Sequence, residues 1–345
     1  MKIIQFLNNT GQNIGGVEQC CINYAKSLSL DKGNSVNTIL PNKDTCYRDQ
    51  IIGKIFEVNI KNKIKLFVSL VSIIYKIKPD FLILHCSRGL KLFKILSIIY
   101  KFKIIGVNHG FNLVKFTKFT DIIFCINKSQ MTQVKNIIRG QKTEVVYFPN
   151  VTEVKDKIIK KDIGKKIRIG TLSRIDFKYK NLDKIVLAAK IMQDKNMDFI
   201  FHIGGDFGEI SQLKLMVKNA NLNDYFIFKG FIKDKEEFFD EIDIFCMPSK
   251  EETFGIAYIE AMSNKVPCIA TNNTGALEIF AQKDSAILID KNDEDSIPNK
   301  IYEAIKFIAD NRNYRIRMIE NSFKIVSREF SLKSSLLRFN QIVQK

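Results

Sequence analysis

At 345 residues and 46% hydrophobic content the chain is long enough for two domains with real cores. Its longest tempting apolar segment, Leu66 to Tyr75, runs into Lys76, Lys78 and Pro79, far short of the roughly 20 residues a spanning helix needs, so a soluble or peripheral protein is expected. The net charge of +17 is uneven, with 22 Lys and Arg against 8 Asp and Glu in residues 1–150 and 32 against 29 in residues 151–345, which points to an anionic partner for the first half. Cysteines 20, 21, 46, 86, 125, 246 and 268 are odd in number, show no paired or zinc-type spacing, and lie mostly in apolar runs, as reduced thiols of a cytosolic protein would. The start, Met1 to Leu7, turns polar at Asn8, too early for a signal peptide, and reads as a strand.

Apolar runs and helical patterns then alternate. Strands are expected at Lys2–Leu7, Val36–Leu40, Ile55–Val58, Phe81–Leu84, Ile104–Val107, Ile122–Ile126 and Val145–Phe148, with helices over about Gly16–Leu30, Lys63–Ile77, Leu90–Tyr100 and Lys128–Arg139. The first domain covers residues 1–151. Residues 152–166 are polar, Lys-rich and aperiodic, and read as a linker. A second series fills residues 167–329, with strands at Ile167–Leu172, Phe199–Ile203, Phe226–Phe228, Ile242–Met247, up to Ala270, and Ala286–Ile289.

The stretch around which the second series is organised runs from Ile242 to Met262. An apolar strand is broken by Pro248 and Ser249, and a helical pattern opens near Phe254 and Gly255. Such a loop lies where open α/β sheets bind ligands, and the helix start beside it offers free N–H groups to an anion. Glu252 and Glu260 flank this helix; a helix over most of the interval would separate them by about 12 Å, at roughly 1.5 Å per residue, so one ligand touching both must be extended. Upstream, Ser173 and Arg174 follow a strand and Lys180 precedes the next helix, two cations suited to a diphosphate, with Lys178 as the competing lysine. Gly15 and Gly16 open the first helix, and Gly204 and Gly205 close another strand; glycines there allow close backbone approach. Of three histidines, His109 follows a strand directly, whereas His85 and His202 lie in apolar runs and read as core residues.

Glu252-Thr-Phe-Gly-Ile-Ala-Tyr-Ile-Glu260, with Pro248-Ser249 before it and Glu260-Ala-Met262 closing it, resembles the Glu, seven residues, Glu motif of the retaining group 1 glycosyltransferases, and the other elements recur in order along the chain. The resemblance implies an α/β GT-B fold: two Rossmann-like domains facing across a cleft, with a C-terminal helix over residues 330–345 returning to the first. It implies a nucleotide-sugar donor, UDP- or GDP-linked, with no cofactor and no metal. Glu252, Arg174, Lys180 and His109 would serve the chemistry. Gly15, Gly16, Ser173, Gly204, Gly205, Phe254, Gly255, Glu260, Gly275 and Glu278 would bind the donor. Three departures stand out: Lys265 where the family has Gly, Asn127 for Ser, and no Gly in the strand after Ala286.

The acidic run Asp293-Glu-Asp295 precedes a helix and reads as helix-start acids rather than metal ligands. Between Lys61 and Lys103 there are ten Lys and Arg and one acid, Asp80. Lys91, Lys94, Phe111, Lys115 and Lys118 mix cations with apolar residues as a membrane-surface or acceptor-binding patch does, on the cytoplasmic face of a membrane. The acceptor would be a saccharide or a polyprenyl-diphosphate-linked saccharide of bacterial surface-polysaccharide assembly. Two rivals remain: a sugar-nucleotide epimerase on the same fold, and a basic nucleic-acid-binding protein, although no nucleic-acid motif is present.

Overall fold

The computed structural model describes residues 1–8, 14–41, 47–113, 116–155 and 162–344. The chain divides into two compact units, Met1–Val151 with Phe330–Lys345, and Thr152–Glu329.

Unit 1 runs β1 (Lys2–Phe6), α1 (Gly16–Leu28), β2 (Ser35–Pro41), β3 (Lys54–Val58), α2 (Lys63–Ile77), β4 (Phe81–Leu84), α3 (Leu90–Tyr100), β5 (Lys103–Asn108), β6 (Ile122–Cys125), α4 (Lys128–Ile137) and β7 (Glu144–Tyr147). All strand pairs are parallel, in the order β3-β2-β1-β4-β5-β6-β7. Parallel strands covered on both faces need unbroken apolar sequence, and β4 (Phe-Leu-Ile-Leu) is buried at every position. The terminal helix α13 (Leu332–Val343) belongs to this unit. Ser27 of α1 donates its hydroxyl to the Leu332 carbonyl at 2.8 Å, and Phe339 lies edge-on to Phe81, Phe124 and Phe148.

Unit 2 runs β8 (Ile167–Leu172), α5 (Phe177–Lys180), α6 (Leu182–Asp194), β9 (Phe199–Gly204), α7 (Ile210–Asn219), β10 (Phe226–Gly230), α8 (Lys235–Asp240), β11 (Ile244–Met247), α9 (Ile256–Ser263), β12 (Cys268–Thr271), α10 (Thr274–Ile279), β13 (Ile287–Ile289), α11 (Ile297–Asp310) and α12 (Arg312–Glu329). Its sheet is again parallel, in the order β10-β9-β8-β11-β12-β13. The strand order reverses between β1 and β4 in unit 1 and between β8 and β11 in unit 2. At such a reversal the loops leaving the two central strands diverge to opposite faces and leave a crevice at their carboxyl ends.

Two departures noted in the sequence have local explanations. Asn127 caps α4, its side chain accepting the Gln130 N–H at 2.7 Å, and Asn and Ser are near-equal caps. Lys265, in the place of a family Gly, has φ 58°, a left-handed conformation in which Gly is favoured; its ammonium lies over the Phe323 ring at 4.4 Å. Asp293 behaves as a helix-start acid, pairing with Lys300 at 3.2 Å.

Candidate active site

In unit 2 the polar residues gather where β8 and β11 end. The loop after β11 is fixed from beneath. Buried Tyr258 donates its hydroxyl to the Met247 carbonyl at 2.9 Å, and Thr271 and Asn273 both donate to the Ser249 carbonyl, Asn273 at 3.0 Å. Asn273 also caps α10 by accepting the Ala276 N–H at 3.0 Å. The Gly275 N–H donates to the Glu252 carbonyl at 2.9 Å, and a Cβ on Gly275 would stand 2.3 Å from the Phe254 carbonyl oxygen, so only glycine fits. The starts of α9 and α10 are thereby held together, with Phe254 buried between β11 and α9 and Glu278 half-buried on α10. Gly255, at φ 88°, is the N-cap of α9.

The Glu252 carboxylate pairs with Lys180 and accepts the Ser249 hydroxyl at 3.2 Å; the Lys180 and Glu252 side chains are only 16% and 12% exposed. Of the two lysines the sequence offered, Lys180 is the one brought to Glu252, while the Lys178 ammonium lies over the Tyr179 ring at 5.2 Å. Arg174 is 56% exposed and pairs with Asp176 at 2.5 Å; Ser173 donates its hydroxyl to the Arg174 carbonyl at 3.0 Å. The turn after β9 grips this segment. Ser173 N–H donates to Gly204 O at 3.1 Å and Ile175 N–H to Phe207 O at 2.7 Å, while Gly205 has φ 124° and would place a Cβ 2.0 Å from the Ser173 carbonyl oxygen. The contacts that require Gly205 are therefore with protein backbone, a support for Ser173 and Arg174.

Glu260 is the least exposed carboxylate of the group, its side chain 6% accessible, and it pairs with Lys235 at 2.5 Å. Nothing in the sequence marked Lys235: the only local signal was Asp234, which caps α8 by accepting the Glu237 N–H at 3.1 Å. Since α9 begins at Ile256, half of the Glu252–Glu260 interval is loop, and the separation of about 12 Å expected from an unbroken rise of roughly 1.5 Å per residue does not apply.

Unit 1 holds a second cluster at the ends of β1, β4 and β5. His85 stands between Gln5 and His109: its Nε2 is 2.9 Å from Gln5 Oε1 and its Nδ1 is 3.0 Å from His109 Nε2, with the two imidazoles stacked at 5.3 Å. His85 is buried as a core histidine should be, and burial, reinforced by His109, pushes its pKa well below the ordinary value. What the sequence did not reveal is that this residue touches His109. The Cys20 thiol, whose pKa burial pushes up, completes a group whose donor atoms lie within 4.8 Å of one another. No spacing in the sequence announced this Cys-His-His group, because its members come from three separate elements.

Gly15 precedes α1 and donates its N–H to the Glu18 carboxylate at 2.7 Å; Gly16 is the first residue of that helix, and residues 11–13 of the glycine stretch lie outside the described residues. Phe111, Lys91 and Lys118 are exposed, Lys94 pairs with Asp121 at 3.0 Å, and Lys115 lies outside the described residues. Around Lys91 the outer faces of α2 and α3 expose Ile64, Val68, Tyr75, Ile95, Ile98 and Ile99, and the helices meet through Tyr75 and Tyr100, ring centroids 6.5 Å apart.

The family model for glycosyl transferases group 1 matches residues 152–325, half of the chain, including every member of the unit 2 cluster. The chain belongs to this family. Relatives of the chain include proteins named for capsular-polysaccharide and O-antigen biosynthesis. It is 31% identical over 182 residues to 2-deoxystreptamine N-acetyl-D-glucosaminyltransferase of Niallia circulans, a match covering 52% of this chain and 45% of that protein. It is 29% identical over 164 residues to UDP-Gal:alpha-D-GlcNAc-diphosphoundecaprenol alpha-1,3-galactosyltransferase of Escherichia coli, covering 46% and 42% respectively; the chain thus spans less than half the length of each. The crystal structure of Anabaena Alr3699/HepE in complex with UDP-glucose superposes with a TM-score of 0.77 at 16% identity, over 100% of this chain and 99% of that one. The glycosyltransferase fold is therefore GT-B. Among the described residues, no helix is long and apolar enough to cross a membrane.

Proposed function

We propose that this glycosyltransferase is a retaining, nucleotide-sugar-dependent hexosyltransferase that uses a UDP- or GDP-linked donor without a metal. The observation that carries the reading is the shielded Lys180–Glu252 pair beside two helix starts, inside the family-matched segment. An incoming diphosphate takes Lys180 and Arg174 as its cations, and Glu252, released from Lys180, meets the donor sugar's hydroxyls. As the glycosidic bond breaks, negative charge grows on the diphosphate, and Arg174, Lys180 and the start of α9 stabilise it, the task for which oriented charges are most effective. Glu260 holds the ribose, with Lys235 paired to its shielded carboxylate. His109 contacts the transferred sugar. Retention at the anomeric carbon is the family's stereochemistry and requires no strong protein base.

The acceptor we infer is a saccharide or a polyprenyl-diphosphate-linked saccharide in bacterial surface-polysaccharide assembly, O-antigen or capsule, met at the inner face of the cytoplasmic membrane. Support comes from the lipid diphosphate in the name of the Escherichia coli relative and from the exposed apolar face of α2 and α3 with Lys63, Lys65 and Lys91 around it. Apolar side chains and cations on one surface suit the headgroup region of an anionic leaflet. The deciding experiment is a hydrolysis screen across UDP- and GDP-sugars with the anomer of the released sugar followed by NMR. Hydrolysis of one donor with the α anomer formed first from an α-linked donor is expected; first formation of the opposite anomer removes retention, and indifference to every nucleotide sugar removes the donor assignment.

A further inference from the structure

The loop that carries Glu252 is pinned at Ser249, through both its carbonyl and its side chain. Asn273 uses its amide oxygen to accept the Ala276 N–H, so its amide nitrogen faces the Ser249 carbonyl at 3.0 Å, and the Thr271 hydroxyl donates to the same oxygen. Both lone pairs of that carbonyl are then occupied. The Thr271 oxygen in turn accepts from the Asn273 amide at 3.1 Å, and Ser249, Thr271 and Asn273 are all fully buried, where a low dielectric strengthens such bonds. Lys250, the next residue, donates its N–H to the Tyr179 carbonyl at 2.9 Å, which ties the loop to the helix that ends in Lys180.

Ser249 has one hydroxyl proton, and it goes to Glu252, since a carboxylate paired with an ammonium can only accept; the contact is 3.2 Å. Lys180 and Ser249 meet the same oxygen, Oε1, whereas Oε2 accepts no hydrogen bond from the described residues. The two carboxylate oxygens therefore differ before any ligand arrives. A glutamate has three side-chain torsions, so a Glu252 released by Lys180 and held by nothing else would pass among several rotamers. We propose that Ser249 is a positioning residue for Glu252: clamped by Thr271 and Asn273, it retains Oε1 as Lys180 turns to the diphosphate, and so presents Oε2 to a hydroxyl of the donor sugar. The inference rests on the reading of Glu252 as the sugar contact.

The separation of nucleotide from sugar tests it. UDP and GDP report nucleotide affinity by titration calorimetry, and UDP-glucose, UDP-galactose, UDP-N-acetylglucosamine and GDP-mannose report donor hydrolysis. In Ser249→Ala, kcat/KM for the donor that the wild type hydrolyses should fall roughly 10- to 100-fold, the scale of a misplaced catalytic contact, while nucleotide affinity stays within about twofold of wild type. Retained nucleotide affinity also reports that the variant is folded. Thr271→Val, which removes one clamp at constant shape, should give a smaller loss of the same kind, about threefold. The deciding measurement is a double-mutant cycle with Glu252→Ala: if Ser249 acts through Glu252, adding Ser249→Ala in that background changes hydrolysis by no more than about twofold. An additive loss there overturns the proposal, as does full activity of Ser249→Ala, or a parallel loss of nucleotide affinity, which marks a general loosening of the loop. Normal hydrolysis by Thr271→Val overturns the clamp. Undiminished hydrolysis by Glu252→Ala alone overturns instead the reading of Glu252 as the sugar contact, and a wild type that hydrolyses none of these donors overturns that reading too.

Discussion

The two units share a sheet plan but hold charge in opposite ways. Unit 1 carries 25 Lys and Arg against 8 Asp and Glu, and unit 2 carries 29 against 29, so the whole net charge of +17 resides on unit 1. In unit 2 the cations near the strand ends are committed: Lys180 to Glu252, Lys235 to Glu260, Lys291 to Glu251, Lys250 to Glu294. A ligand there must exchange for an internal carboxylate, which makes binding selective for groups that satisfy both members of the pair. Unit 1 joins Gln5, buried His85 and His109 in one polar network and leaves its cations on the surface, where they act at long range and weaken with salt. Balanced, paired charge suits the recognition of one small ligand; unbalanced, exposed charge suits a surface.

The largest break in this contrast should come from unit 2. Arg174→Ala or Lys180→Ala is expected to lower turnover by roughly 10²-fold or more, the loss that follows removal of one oriented stabiliser of transition-state charge. Lys180→Ala carries a further mark, because it strands a shielded Glu252 carboxylate. Adding Glu252→Gln to Lys180→Ala should restore thermal stability without restoring turnover. Near-normal turnover in both single variants removes the pair from the mechanism.

A smaller effect separates the two glutamates. Glu260→Gln should weaken UDP or GDP affinity by about tenfold, the scale of a charge-assisted hydrogen bond of about 1.5 kcal/mol, whereas Glu252→Gln should leave free-nucleotide affinity near normal and impair handling of the sugar nucleotide. Titration calorimetry with UDP and with the intact donor distinguishes them. Equal losses for UDP in both variants contradict the division of roles.

How much of this was legible in the sequence depends on whether the signal is local. The strands were legible because parallel strands buried on both faces leave apolar runs such as Ile244–Met247, and α2 because Asn62 caps its start and Pro79 follows its end. The motif residues Glu252 and Glu260 were legible through a family resemblance. Their cations were only half so: Lys180 stood within the resemblance and Lys235 did not, because its pairing with Glu260 spans 25 residues and three elements. The His85–His109 contact was illegible for the same reason. It spans 24 residues and depends on β4 and β5 being neighbours in the sheet, which no periodicity encodes. Conversely, Lys265 looked like a departure from the family and is one in composition only, since the backbone there keeps the left-handed φ of 58° that suits the family's glycine.

On unit 1 the surface charge can be tested directly. Ile98→Asp with Ile99→Asp, or neutralisation of Lys63, Lys65 and Lys91, should reduce co-sedimentation with anionic vesicles, at about 1 kcal/mol, or roughly fivefold, for each cation removed near the surface. Binding should weaken as added salt cuts the screening length from about 10 Å at 0.1 M to about 3 Å at 1 M. Donor hydrolysis should stay intact in these variants. A wild type that ignores anionic vesicles at low salt removes the membrane from the proposal and leaves the sugar chemistry standing.

The smallest expected effect concerns His85 itself. His85 stays neutral in the folded protein because burial holds its pKa well below the ordinary value, while in the unfolded chain it takes up a proton below about pH 6.5. Between those limits the unfolded state binds the extra proton, so stability is full above about pH 6.5 and falls with decreasing pH, by about 1.4 kcal/mol per unit for this one group, until His85 itself protonates. His202 in unit 2 is shifted the same way, by burial and then by Lys229, so the wild type carries two such groups and acidification acts on both units. Replacing His85 by Asn isolates one. Between pH 7 and pH 5.5 the denaturant midpoint of His85→Asn should decline less steeply than that of the wild type, whatever the offset at pH 7. Parallel declines would mean that His85 already titrates normally in the folded chain, against the low pKa that its burial implies.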